Sequence, residues 1–453
     1  MRSQLSYAVA VLAVALLLLG LTAQPGHAEP APAHWPPETA RGWEVPPTDG
    51  GGVPVLSPVV AGLRKAGAFA FTLVMAPFRG ALWVEDRYEV LSKVENFFYN
   101  DARTIGVLPS VSFTSGFGGE IGLGAFYADM FGHDEKLSIS GSAGGADRYS
   151  AQAKLAMPEI AGGRLYLFAR ARLEKDDQLL FRGIGNADVS AGPLAPGPES
   201  RFAQQRLLGL LSAGVQLGKK RRVRMGFSVI YNEREFSQDV GSGLTPIGDH
   251  YDVMQLRGFA GGVNTAELTT DIQVDLRDHA GQTGSGALLT GFGGAGVGDD
   301  WQYAHYGAEA SLYWTPWRSR RVFIVRATHE GVSGDDIPFT ELPRLGGVGL
   351  LRGYRRDRFR DELALVGTAE YRYPIHGSVS GALYVEGGKV ARTYEQLLGS
   401  GLSDNWHVGY GGGFVVHSED SAAFRIDVAY GDGVQVYFST DVLQAFRKRE
   451  REL

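Results

Sequence analysis

The chain has 453 residues, a formal net charge of −6, 63 glycines, 11% aromatic residues and no cysteine. Without cysteine there are no disulfides, thiolate metal sites or cysteine nucleophiles, and so small a net charge gives no electrostatic footprint for nucleic acid. That much glycine suits strands and tight turns better than helices, where it costs backbone entropy.

In chain order, Arg2 gives a basic start, Ala8 to Leu21 is an apolar run, and small residues lead to a cleavage site after Ala28. The run is short for a membrane span of roughly 20 residues. This favours a signal peptide over residues 1–28 against a single membrane anchor. Residues 29–60 are rich in proline and glycine and read as a linker that cannot bury a core. From Trp83 to Tyr99, Val84, Tyr88, Leu91, Val94 and Phe98 recur at helical spacing, predicting an amphipathic helix over 83–99 on the periplasmic side. Such a helix either plugs a pore or seals the base of the domain that follows.

From Thr104 the periodicity becomes 2. Arg164 to Glu174 sets Leu165, Leu167, Ala169, Ala171 and Leu173 against Arg164, Tyr166, Phe168, Arg170, Arg172 and Glu174. Arg222 to Arg234 opposes Val223, Met225, Phe227, Val229 and Tyr231 to Arg222, Arg224, Ser228, Asn232 and Arg234. Sixteen such segments are predicted, near 105–116, 119–130, 134–144, 148–157, 163–174, 202–216, 221–235, 266–278, 286–298, 303–316, 321–331, 361–374, 377–390, 404–417, 421–431 and 433–446. Links after even-numbered segments are mostly short, and those near 175–201, 236–265, 332–360 and 391–403 are long. Short turns at one rim and long loops at the other characterise an outer-membrane barrel. The predicted fold is therefore all-β, a 16-stranded transmembrane antiparallel β-barrel over 104–446, with a short N-terminal periplasmic helix and a charged periplasmic tail at 447–453. Apolar outer faces would meet lipid, while the arginine-bearing faces need a hydrated lumen. Arg170, Arg172, Arg222, Arg224 and Arg372 are the candidate lumen arginines. Tyr127, Phe131, Tyr303, Tyr306, Tyr313, Trp314, Trp317, Tyr371, Tyr373, Trp406 and Tyr410 fit interfacial girdles.

Leu351-Arg352-Gly353-Tyr354 falls in the sixth long-rim loop, between the eleventh and twelfth barrel strands. Parity points Glu370 inward with Thr368 and Arg372, and Glu386 inward with Ser380, Ala382 and Tyr384. An arginine inside a barrel needs a bidentate carboxylate; the alternative is a solvated loop arginine among Arg355, Arg356, Arg358 and Arg360. The loop motif resembles that of the BamA/TamA superfamily of outer-membrane assembly factors, also called the bacterial surface antigen family. Phe181-Arg182-Gly183-Ile184-Gly185-Asn186, Asp275-Leu276-Arg277-Asp278, Ala369-Glu370-Tyr371-Arg372-Tyr373-Pro374-Ile375 and Tyr384-Val385-Glu386-Gly387-Gly388 carry the resemblance further, over roughly 100–446. It implies that Arg352, Gly353 and Tyr354 fold back into the lumen, where Glu370 and Glu386 form the dock. Family assembly factors carry POTRA modules before the barrel, and residues 29–99 hold no recognisable one.

The resemblance implies insertion or translocation of protein or lipid through a lateral seam between the first and last strands. Outer-membrane lipid, nascent outer-membrane proteins and periplasmic factors are the partners, with a monomeric barrel in the bacterial outer membrane. The alternative is a passive channel with an arginine-lined lumen. Neither needs a cofactor or metal, and the sequence holds no Gly-x-Ser-x-Gly elbow, His-Glu-x-x-His or phosphate loop to suggest an enzyme.

Overall fold

The computed structural model describes residues 100–439 except 101, 103, 115–117, 131, 133–134, 145–146, 187–191, 219–220, 280–282, 299, 317–320, 377–378, 400–404 and 418–421. The expected signal peptide, linker, amphipathic helix and charged tail, with Phe131, Trp317 and the end of the sixteenth strand, lie outside the described residues.

Sixteen strands form one antiparallel ring. The first seven are β1 (Ile105–Thr114), β2 (Gly118–Ala128), β3 (Lys136–Ala143), β4 (Tyr149–Ile160), β5 (Leu165–Phe181), β6 (Ser200–Leu217) and β7 (Val223–Ser237). Then come β8 (Val263–Asp275), β9 (Gly286–Gly298), β10 (Gln302–Trp314) and β11 (Val322–Asp336). A small hairpin, β12 (Arg344–Leu345) with β13 (Phe359–Arg360), lies within the sixth long loop, residues 337–362, and is separate from the ring. The ring resumes with β14 (Leu363–His376), β15 (Val379–Ala391), β16 (His407–His417), β17 (Ala422–Tyr430) and β18 (Val434–Ser439). It closes where Thr114 on β1 faces Tyr437 on β18.

The alternation explains the architecture. Along β7, Met225, Phe227, Val229 and Tyr231 are exposed, while Gly226, Ser228, Ile230, Asn232 and Arg234 are buried. Ile121, Leu123, Ile139, Leu173, Leu211, Leu268, Val325 and Leu383 continue the exposed apolar surface around the ring. A contiguous apolar surface of this extent belongs in hydrocarbon rather than water, and ring closure satisfies the backbone groups that lipid cannot.

Three expectations change. β5, β6 and β11 run past their predicted ends, to Phe181, back to Ser200, and to Asp336. The β5/β6 ladder continues to Phe181 opposite Ser200, with an irregularity between Asp176 and Leu179, so pairing outlasts the apolar/polar alternation. Tyr303 and Tyr313, assigned to the girdle, are buried. On β10 they share their face with His305, Glu309 and Ser311, all buried, whereas Leu312 and Trp314 are exposed. Arg222, assigned to the lumen, is exposed, because β7 begins one residue later and leaves it in the rim turn.

At the long-loop end, Phe181, Phe202, Ile247, Tyr251, Leu256, Phe259 and Phe339 form an apolar cluster. It joins the extended ends of β5 and β6 to the 238–262 loop and to loop six. Phe339 lies against Phe202, Phe236 and Phe259 with ring centroids 5.6, 5.0 and 6.1 Å away.

Candidate functional site

Loop six brings Arg352 to the inner wall in a tight turn. Tyr354 N–H donates to the Leu351 carbonyl at 3.2 Å, and Gly347 N–H to the Tyr354 carbonyl at 2.9 Å. Leu351 sits at φ +64°, a left-handed conformation that costs an L-residue about 1–2 kcal/mol. Its side chain is fully buried with Leu345, Phe359, Ala364, Val366 and Val390, which offsets that cost and fixes the turn. The Arg352 N–H consequently points at Glu386 Oε2, 2.6 Å away.

The Arg352 side chain is buried and closes a fork on the same carboxylate, with Nε 2.9 Å and Nη2 2.8 Å from Glu386 Oε1. Nη2 lies 3.5 Å from Glu370 Oε2, and Nη1 3.5 Å from Asp427 Oδ1. The guanidinium carbon is 3.4 Å from the centroid of the Tyr384 ring, so a cation–π contact adds to the ion pairs. Glu370 also accepts from Arg372 Nε at 2.6 Å and from Arg425 Nη1 at 2.8 Å, and Arg425 Nε donates to Asp427 at 2.7 Å. Three guanidiniums thus meet three carboxylates, with β14, β15 and β17 each contributing. A buried cation needs such matching, because an unpaired one costs several kcal/mol.

The neighbours of Arg352 fix the motif's shape. A Cβ on Gly353 would stand 2.6 Å from the Tyr430 carbonyl oxygen and 2.9 Å from the Gly409 Cα, so only glycine allows this backbone approach. Tyr354 donates its hydroxyl to the Val408 carbonyl at 3.2 Å and accepts at its own carbonyl from the Tyr437 hydroxyl at 2.8 Å. Its ring lies against Phe359 and His407, which stack on each other 3.7 Å apart.

Of the other sequence candidates, Arg170 is buried beside the Phe168 ring. Arg172 pairs with Glu174 at 2.7 Å. Arg224 is half-buried with its guanidinium 4.4 Å from the Tyr166 ring centroid. These stand on β5 and β7, while Arg372 joins the Arg352 network and Arg222 joins neither group. Asp427 and Arg425 were visible only as the polar face of their strand, and no sequence signal linked them to Arg352. Asn186, from the segment after β5, accepts from the Val390 N–H at 3.3 Å, lies 2.9 Å from His407 Nε2, and donates to the Asn405 carbonyl. Glu199 receives Arg182, Arg201 and the loop-six Arg355, which ties loop six to the β5–β6 loop as well.

Two loop-six carboxyls shift in opposite directions. Burial raises the Glu341 pKa, but the adjoining Arg234 overrides it and leaves the group at about 2. Burial pushes Asp361 up to about 6, outweighing the Glu362 N–H and the Arg392 charge that act against it.

The Omp85 superfamily domain matches residues 129–440. The chain belongs to the Omp85 superfamily. BamA from Haemophilus ducreyi, solved without POTRA domains 1–3, is similar in structure, with TM-score 0.53 and 13% identity over 74% of this chain and 69% of that one. CdiB from Acinetobacter baumannii gives 0.47 and 12% over 74% and 59%, and CdiB from Escherichia coli 0.46 and 11% over 75% and 61%. No curated protein sequence matches. As an Omp85 member, the protein is an outer-membrane β-barrel, and its superfamily serves assembly or translocation at that membrane.

Proposed function

We propose that this Omp85 barrel inserts or translocates protein or lipid through a lateral seam between β1 and β18, with loop six as the brace beside it. One observation carries the reading. β1 and β18 are the first and last described strands of the ring, and they meet with Thr114 opposite Tyr437, so this closure joins two strands from opposite ends of the barrel sequence. Parting it exposes two strand edges that can accept an incoming strand by β-augmentation.

The brace acts on one flank. Arg352 engages carboxylates on β14, β15 and β17, and Tyr437 on β18 donates to Tyr354. The β18 flank is held while β1 is the flank that moves. Arg352, Gly353 and Tyr354, with Glu370 and Glu386 as partners, act as a structural lock and take part in no covalent chemistry. Partners are outer-membrane lipid and nascent outer-membrane proteins or periplasmic factors, and the working unit is a monomeric barrel.

The cysteine-free chain allows a direct test. A cross-strand pair suits disulfide geometry, so Thr114→Cys with Tyr437→Cys locks the seam on oxidation. Depletion of the wild-type protein should lower the levels of other outer-membrane barrels in quantitative proteomics, and the reduced double variant should restore them as far as Tyr437→Cys alone, which also lacks the donor to Tyr354, does. Restoration by the oxidised form would remove the seam, and unchanged levels on depletion would remove the assembly role. A passive channel lined by Arg170, Arg172 and Arg224 would instead give a large, steady conductance that Arg352→Ala leaves unaltered.

A further inference from the structure

Where loop six meets the β5–β6 loop, the 238–262 loop and the segment after β15, the long-loop end holds a cavity of about 680 Å³. Part of its wall is apolar, from Ile184, Leu194, Ile337 and Leu342. Asp335, Asp361 and Glu362 line it as well, with Arg257 and Arg392. Both guanidiniums are committed elsewhere. Arg392 lies 3.4 Å from Glu362, and Arg257 lies 3.4 Å from Asp336 while donating to the Asp335 carbonyl oxygen. Asp361 differs from its neighbours. It is only 8% exposed, and one of its oxygens, Oδ1, accepts the Glu362 N–H at 2.9 Å. Among the described residues Oδ2 has no donor, and no cation stands within ion-pair distance of the carboxyl. The Arg392 charge reaches it only at longer range. Other charged groups on loop six are taken: Arg360 bonds the Phe339 carbonyl at 3.3 Å, and Glu341 pairs with Arg234.

We infer that this cavity binds an organic cation, with an ammonium head on Asp361 and a hydrocarbon stem against Ile337 and Leu342. Its volume is that of a small-molecule site, and an apolar wall with a few polar groups is the usual composition of one. A buried carboxylate with an unused oxygen gains most from a charged N–H donor, which offsets the cost of removing it from water. The apolar wall favours a ligand that carries hydrocarbon beside its charge. A metal ion would need several oxygen ligands together, and no such cluster occurs among the described residues. Burial holds the Asp361 carboxyl at about 6. The carboxylate is therefore formed above that pH, and below it the neutral acid offers the ligand no charge. An alkylammonium stays protonated across this range, so binding strengthens as pH rises through about 6. The inference rests on this cavity alone and stands whether or not the seam opens.

The test uses the full chain in detergent, titrated with n-butylammonium chloride, the head and stem of a lysine side chain. Sodium chloride at equal ionic strength and butanol are the comparisons. The readout is the temperature at which the folded, fast-migrating gel form is lost. Butylammonium should raise that temperature beyond both comparisons at about pH 7.5, and the gain should vanish at about pH 5. Asp361→Asn keeps the shape and removes the charge. It should weaken the apparent affinity about tenfold, as loss of one charge-assisted hydrogen bond implies, and erase the pH dependence. The pH contrast in the wild-type protein needs no variant. Arg222→Gln, in the exposed rim turn, should bind like wild type and serves as the control. Acetyl-lysine amide with a free side-chain amine then separates sources. Competition with butylammonium assigns the cavity to a basic side chain of a peptide, and butylammonium binding that it leaves unaffected assigns the cavity to a free amine. A shift matched by sodium or butanol, an equal gain at both pH values, or undiminished affinity in Asp361→Asn overturns the site.

Discussion

Loop six lies between two walls built from the same kinds of residue. On the β14–β17 wall, Arg352, Arg372 and Arg425 meet Glu370, Glu386 and Asp427, each within 3.5 Å of a partner. On the β4–β7 wall, Arg172 and Glu174 line a cavity together with Arg344 and Asp357 of loop six. Balanced ions in contact make a lock, because every buried charge is compensated and little space is left for solvent or ligand. On the β4–β7 wall the ion pairs surround a cavity instead of closing on one arginine, so the loop is gripped less tightly there. Inward-pointing charge alone therefore says little about a barrel, and how closely the charges pack says more.

The largest effect should come from breaking the balance. Glu386→Ala leaves Arg352 without its fork and its backbone acceptor. Loss of one partner from a buried pair costs about 3–5 kcal/mol. The loop should release, seen as faster trypsin cleavage within 344–360 and a lower unfolding temperature; an unchanged cleavage rate would mean that the lock lies elsewhere. Gly353→Ala tests packing without touching charge. Its Cβ would press on the Tyr430 and Gly409 backbones, which cannot rotate away, and about 2–3 kcal/mol of overpacking is expected. Denaturant titration would measure it, and a wild-type midpoint would show that the close approach is not needed.

Asp361 gives a smaller, pH-dependent effect. Its carboxyl is held at about 6 by burial, against 3.8 for the ordinary group. The folded state binds that proton more tightly than the unfolded chain, so the stabilisation is complete below the unfolded pKa and is lost as pH rises through about 6. Asp361→Asn should remove about 2 kcal/mol of stability change between roughly pH 4 and pH 7, read from unfolding midpoints across that window. The smallest effect belongs to Arg222→Ala. This side chain is exposed in the rim turn, and a surface change of this kind stays within about 0.5 kcal/mol. A larger loss of stability would restore Arg222 to the lumen.

The sixteen strands were legible because lipid on one side and water on the other impose a period of 2 through the membrane belt. Past the belt the outer face no longer meets lipid, and loops cover parts of the strands instead. Lys175-Asp176-Asp177-Gln178 carries no alternation, although β5 stays paired with β6 through it. Parity gave the inward direction of Glu370 and Glu386. It gave the polar face of Arg425 and Asp427 too, but the sequence contains no register, and only the β15–β16–β17 ladders bring Asp427 to Arg352. The same parity misplaced Arg222, because alternation does not mark where a strand stops. The need for glycine at 353 arises from a backbone 77 residues further along, at Tyr430, and left no local trace.

The order of the lock's parts along the chain has a consequence for biogenesis. Glu370, Glu386 and Asp427 all follow Arg352, and Tyr437 comes from the last described strand. The network cannot be complete until the final hairpin has arrived, since contacts this distant in sequence form only after long loops close. A barrel truncated before β17 would keep Glu370 and Glu386 but lose Asp427, Arg425 and the Tyr437 donor, leaving the arginine turn held by β14 and β15 alone. The full set of contacts therefore marks a barrel whose last strands are in place.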